Sequence, residues 1–417
     1  MLSGNKISLQ EFATNQLRQV MDFYIQDPSL MLEQYEHEFT TVLEYEGREI
    51  LELIQNADDA AQFAEIPKAL IHLSEDRLIV ANTGQPFTLE GLDSILHSNL
   101  SPKFKEKNQI GNKGLGFRSV LAWADKVSII SGDLQIGFSR KNSHDLLAEL
   151  KNRNSLIEQK IFSRYGKDVD ALAVFRCPEI ISDFQRQEIF YGFDTLIVLD
   201  LKENIASKVE EQLIKTVDAE MMLFLNNLDC IEINTPNIHQ TLKRELISKS
   251  ELTDHTTLKR IRVSRIDLES IYWDWNIYCK IGVNKSNLTT DTEGKNFELA
   301  VAWQDELIES KNVLHSFFRT DVTFKFPGIL HGTFELSSNR NELIKGQGHN
   351  RFLFVEVAKL LADASQIIAN SETEKVNYKA MHLAMVKFES LSNLIKESGF
   401  EAKLKEEIKQ RNIFPTI

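Results

Sequence analysis

Apolar positions along this chain recur first at helical spacing, then in short alternating runs, then at helical spacing again. From Met1 to about Thr40 the pattern is helical, with a break at Asp27-Pro28. Helical spacing resumes over Thr41 to Phe63, where Ile50, Leu53, Ile54 and Ala57 fall on one face, and Pro67 closes the region. Short strand-like runs follow at Ala69–Leu73 and Arg77–Ala81, then a turn at Asn82-Thr83-Gly84. Lys126–Ile130 and Leu134–Ser139 predict a hairpin around Ser131-Gly132-Asp133, and Thr195–Leu201 predicts a further strand. Ala206–Leu225 reads as helix, with Leu213, Val217 and Leu223 apolar, and leads into a strand at Cys230–Ile233. Thr241 to Trp303 alternates and is rich in aromatics, as in Ile271–Ile281, and after Arg351 the pattern is helical to the end. The order predicts an α/β domain over 1–205, a β-rich α+β middle domain over 206–345, and a helical C-terminal region over 346–417.

Composition changes this picture little. Of 417 residues, 42% are apolar and 26% charged, the balance of an ordinary globular protein that needs no disulfide or metal staple. Cys177, Cys230 and Cys279 are widely separated and read as reduced core thiols, which with the absence of a signal-peptide pattern predicts a cytoplasmic protein. No apolar run is long enough to span a bilayer. A formal net charge of −13 weighs against a surface that wraps nucleic acid, though it leaves room for a local basic groove.

Four segments carry candidate chemistry. On a helix, Glu52 and Asn56 stand one turn apart on one face, with Asp59 close by, while Leu53, Ile54 and Ala57 pack behind. A carboxylate there can take a proton from water, and an amide oxygen one turn on can hold a hard cation such as Mg²⁺. Taken alone, the same residues suit a solvated polar face. Leu78–Phe87 is a strand that ends in Asn82 and Gly84, either an ordinary turn or a place where a polar side chain meets a base edge. Ile110-Gly111-Asn-Lys113-Gly114-Leu115-Gly116-Phe117 is a glycine-rich turn opening a helix predicted to reach Ala124, and backbone N–H groups at such a turn bind anions. Lys103, Lys105 and Lys107 precede it, so that the loop from about Leu96 to Asn112 suits a basic lid over a polyphosphate. Asp194-Thr195 opens a strand.

In this order the segments resemble the GHKL ATPases, the superfamily of gyrase, MutL, histidine kinases and the dimeric heat-shock chaperone. Within it they are most similar to the sacsin and NO VEIN group, through Tyr45-Glu-Gly47-Arg48…Glu52-Leu-Ile-Gln-Asn56-Ala-Asp-Asp-Ala and Ser101-Pro-Lys103…Ile110-Gly111-Asn-Lys-Gly114-Leu-Gly116-Phe-Arg-Ser-Val120. The resemblance implies a GHKL, Bergerat-type α/β sandwich with a mixed, mainly antiparallel sheet, binding ATP and Mg²⁺. It implies Glu52 as general base and Asn56 as the Mg²⁺ ligand. It places Asn82, Gly84 and Thr195 at the adenine end, and Gly111, Gly114 and Gly116 at the phosphates. Lys103, Lys113, Leu115 and Phe117 are then nucleotide-binding residues of the same segments. Where most of the superfamily has aspartate, this chain has Asn82, whose amide can donate as well as accept.

Phe324-Lys-Phe-Pro-Gly-Ile-Leu-His331-Gly332-Thr-Phe334-Glu-Leu-Ser-Ser-Asn-Arg340-Asn341-Glu resembles the segment that follows the ATPase domain in sacsin-type proteins. That likeness implies Arg340 as a cation for the terminal phosphate; a surface ion pair with Glu335 or Glu342 is the alternative. His331 suits packing better than metal binding, having no histidine at ligand spacing. The expectation is an ATPase whose cycle drives conformational change in a homodimer, with a chaperone-like output or a fused or partner effector. A non-hydrolysing nucleotide-gated module and a DNA-associated clamp are the other readings. Phe-Pro-Thr in the closing run Arg411–Ile417 resembles an interior point of the sacsin-type region, which makes a longer parent protein an expectation too.

Overall fold

The computed structural model describes residues 7–97, 116–285, 294–307, 312–337, 342–344, 348–371 and 379–413. It is a mixed α/β structure with mostly antiparallel pairing and a helical C-terminal region. The chain divides into two compact units, one of residues 1–217 and 226–241, the other of 218–225 and 242–417.

The first unit opens with α1 (Leu9–Gln26), capped by Ser8 and Glu11 in a reciprocal capping box. Asp27 ends α1 and caps α2 (Pro28–Glu44), its carboxylate accepting from the Ser29 and Leu30 N–H groups, with Pro28 in the first turn. The helix expected from Thr41 to Phe63 is interrupted. Gly47, at φ +85°, turns the chain in a conformation that costs most side chains energy, and α3 (Glu49–Ala60) begins afresh. Strands β1 (Lys68–Leu73) and β2 (Arg77–Asn82) follow, then α4 (Leu89–Leu96) capped by Thr88. The segment after Gly116 is a 3₁₀ turn, Gly116–Ala122, rather than a helix reaching Ala124, because β3 (Ala124–Ser131) claims the next residues. Then come β4 (Leu134–Ser139), α5 (Arg140–Arg153), α6 (Leu156–Tyr165), β5 (Pro178–Ile180), β6 (Thr195–Leu201), α7 (Ala206–Thr216) and β7 (Cys230–Asn234). The helix expected to run to Leu225 stops at Thr216, and the Asp218 carboxylate accepts from Met221 N–H at 3.0 Å to start a separate 3₁₀ turn, Met221–Leu223.

The strand order in this unit is β7-β1-β2-β6-β3-β4-β5, antiparallel except for β1 with β7. One face packs Leu70, Ile79, Ile130, Leu196 and Val198 against Phe190 and Phe193. The other carries Val80 and Ile197, and α3 packs on β2. Both faces of β2 and β6 are thus buried, which is why they read as near-continuous apolar runs.

The second unit holds β8 (His239–Thr253), whose first residues belong to the first unit, then β9 (Thr256–Ile266), β10 (Ser270–Asn284), β11 (Lys295–Trp303), β12 (Val313–Ser316), β13 (Phe318–Thr323) and β14 (Ile329–Gly332). Their order is β8-β9-β10-β11-β14-β12-β13. α8 (Gly348–Ser371), α9 (Lys379–Leu383), α10 (Asn393–Glu397) and α11 (Phe400–Lys409) share one core with these strands, in which Phe324, Phe354, Leu361, Leu383, Phe400 and Leu404 meet. His331 is a packing residue. It stacks on Phe224 at 4.6 Å, and burial, with His315 nearby, pushes its imidazole down to about 3, so it stays neutral.

Among the described residues no helix is long and apolar enough to cross a membrane. The three cysteines are free thiols, Cys177 and Cys279 buried and Cys230 partly so.

Candidate functional site

The register of two strands sets the floor of a cleft in the first unit. Asn82 pairs with Thr195 and Val80 with Ile197 across β2 and β6, and residues two apart share a face. These four side chains therefore form one contiguous patch, and all four line the cleft, whose volume is about 230 Å³. α3 supplies one wall with Leu53, Asn56, Ala57, Asp59 and Ala60, and α4 with its preceding loop supplies another with Thr88, Gly91, Ser94 and Ile95. Phe117 of the 3₁₀ turn also reaches it.

A short polar relay fixes the floor. The Thr195 and Ser131 hydroxyls lie 2.6 Å apart, and Ser131 Oγ accepts from the Phe87 N–H at 2.9 Å. Asn82 donates an amide hydrogen to the Thr83 carbonyl at 3.1 Å, which turns its carbonyl oxygen the other way. Gly84 does not line the cleft. Its N–H donates to Asp194 Oδ2 at 2.7 Å, and a Cβ at this position would lie 2.1 Å from the Ala60 carbonyl oxygen. The close approach that needs glycine here is therefore to the end of α3, where Gln85 N–H donates to the same carbonyl at 2.8 Å.

Glu52 stands one turn before Asn56 and is buried, outside the cleft lining. Its carboxylate pairs with Arg48 at 3.7 Å and lies against Gly116. Of Glu52, Asn56 and Asp59, which the sequence places on one face, the last two line the cleft and Glu52 lies one turn back, beside Gly116. Asn56 and Asp59 face the cleft, whereas Asp58 points away and accepts N–H bonds from Asn226, Asn227 and Leu228 at 2.8–2.9 Å. Lys103, Gly111, Lys113, Gly114, Leu115 and Arg340 lie outside the described residues, as does the basic loop before Gly111 beyond His97.

Several contributors went unread in the sequence. α4 is one, being only two turns long, although Thr88 three residues before Gly91 is an N-cap signal. A buried and a half-buried arginine grip its end: Arg118 donates to the Ile95 carbonyl and Arg176 to the Leu96 carbonyl, each at 2.6 Å. Burial pushes Arg118 down to about 10, which leaves it charged at neutral pH, with Glu38 acting in the opposite sense. Burial pushes Glu38 above the usual carboxylate range, against the pull of Arg118 and of the Val174 and Phe175 N–H groups. Glu49, in the first turn of α3, is also raised by burial, against a hydrogen bond from Gln212 at 3.0 Å.

No protein-family profile matches the chain. It is similar to Protein NO VEIN of Arabidopsis thaliana, with 21% identity over 327 residues. The matched region is 76% of this chain but 11% of that protein's length. This similarity supports a relation to the NO VEIN group.

Proposed function

We propose that the first unit binds ATP with Mg²⁺ in this cleft, in the manner of the GHKL superfamily, and hydrolyses it slowly. The observation that carries the reading is the register pair Asn82–Thr195 facing Asn56 across one cleft. Three residues assigned by resemblance from separate parts of the chain thereby line the same space. The donor set suits its ligands. Asn56 and Asp59 offer oxygen atoms on the α3 wall, the ligand type a hard divalent cation takes when it is shared with phosphates. The carbonyl oxygen of Asn82, turned away from its own amide contact, suits the exocyclic amino group of adenine and not the carbonyl of guanine. Apolar Val80, Ile197 and Phe117 suit the faces of a base.

Bound Mg²⁺ would supply neutralisation of phosphate charge. Hydrolysis then needs a base. A water oxygen bonds to the terminal phosphorus, the bond from phosphorus to the bridging oxygen breaks, ADP leaves with that electron pair, and the water proton passes to the Glu52 carboxylate. Steady-state turnover with Mg²⁺ tests this. Glu52→Ala is expected to lose on the order of 10²–10⁴-fold in rate while keeping nucleotide affinity, the usual cost of removing a general base. Wild-type turnover in that variant would overturn the role.

A further inference from the structure

The surroundings of Glu52 go beyond a helix position one turn from a metal ligand. A Cβ built at Gly116 would lie 2.0 Å from Glu52 Oε2 and 2.4 Å from its carboxyl carbon, so the backbone of the 3₁₀ turn rests directly on the carboxylate. On the other side Arg48, at the N-cap of α3 and itself 4% exposed, brings its guanidinium to 3.7 Å. Gly47 makes that placement possible, since its positive φ turns the chain so that Arg48 begins α3 one turn ahead of Glu52. A buried carboxylate that is to accept a proton must be held in one orientation, and a neighbouring cation does that.

We propose that Arg48 and Gly116 are positioning residues for Glu52. Arg48 holds the carboxylate on one side, and Gly116, having no side chain, lets the 3₁₀ turn seat against it without displacing it. Both would act through Glu52, Gly116 in addition to the phosphate contact that the resemblance implies. The inference rests on the reading that Glu52 takes the proton of the attacking water.

The test is a mutant cycle in the full chain, reading kcat, KM and calorimetric Kd for Mg-ATP together with melting temperature. Arg48→Gln is expected to lower kcat by about 10-fold or more, with KM and Kd within about 3-fold of wild type, and Arg48→Lys is expected to recover part of the loss. Gly116→Ala is expected to lower kcat by displacing the carboxylate. In a Glu52→Ala background neither substitution is expected to lower the residual rate further, because residues that act through Glu52 have nothing left to position. A purely structural role would lower melting temperature and residual rate in that background too, and would overturn the proposal. Wild-type kcat in Arg48→Gln, with Glu52→Ala inactive, would overturn this inference alone. Absence of turnover in the wild type would overturn the reading beneath it and the inference with it.

Discussion

The two units bury acidic side chains in opposite ways. In the first, Glu38 and Glu49 lie on the helices that lead into the cleft, and burial raises both despite their hydrogen bonds. In the second, burial of Glu356 is outweighed by Lys280 and Lys359, each at 2.6 Å, so that its carboxyl is held below the usual range. Glu407 is held down by Lys403 at 2.7 Å and, against a burial cost, by Arg411 at 2.5 Å. The second unit therefore balances its buried charge with cations and uses it as structure. In the first unit Glu38 and Glu49 stay raised by burial even with such partners, and perturbed groups of this kind are frequent at functional sites.

The largest expected effect tests whether every buried acid near the cleft belongs to the reaction. Asp58 is next to the cleft residue Asp59 but accepts three backbone N–H groups. Asp58→Ala leaves those donors unpaired, that of Leu228 in the interior and that of the exposed Asn226 within reach of water. It is expected to destabilise the protein by roughly 2–4 kcal/mol, most of it from the buried Leu228 N–H and less from the two donors that water can reach. Denaturant unfolding measures this. A loss below about 1 kcal/mol would mean the loop at 226–228 is held by something else.

A smaller effect addresses the contrast itself. A carboxylate raised in the folded state binds its proton more tightly there than in the unfolded chain. The stability it contributes is present below the unfolded value and is lost as pH rises through the folded one. Glu49→Gln is therefore expected to stabilise relative to wild type at pH 7 and to lose that advantage near pH 4. Glu356 has the opposite sign, its stabilisation being present at neutral pH and lost as pH falls through its lowered value. Glu356→Gln is expected to destabilise at pH 7 by about 1–2 kcal/mol and to converge on wild type in acid. Melting temperatures of the two variants across pH 4–7.5 check both signs, and parallel curves would dissolve the contrast.

How far the sequence carried this account depends on distance along the chain. The α1–α2 break was legible because Asp27-Pro28 is a cap and a first-turn proline in two adjacent letters. The break at Gly47 was not, because helical spacing continues across it and only one glycine marks it. The polar stretch of α3 was legible as a candidate face, but the sequence could not say that Asp58 turns to a distant loop while Asp59 turns to the cleft. Asn82 and Thr195 were assigned by resemblance, and their meeting rests on β2–β6 register, which no local pattern encodes. Ser131, Arg118 and Arg176 escaped notice for the same reason: each acts on a residue remote in sequence.

The central claim, that the cleft takes ATP with Mg²⁺, is tested most directly by titrating ATP into the full chain in a calorimeter, with and without Mg²⁺, for the wild type and Asn56→Ala. The account predicts one-site binding that Mg²⁺ strengthens in the wild type, and a loss of that Mg²⁺-dependent part, on the order of 10-fold or more in Kd, in Asn56→Ala. Absence of ATP binding by the wild type, or an unchanged Mg²⁺ effect in Asn56→Ala, would contradict it.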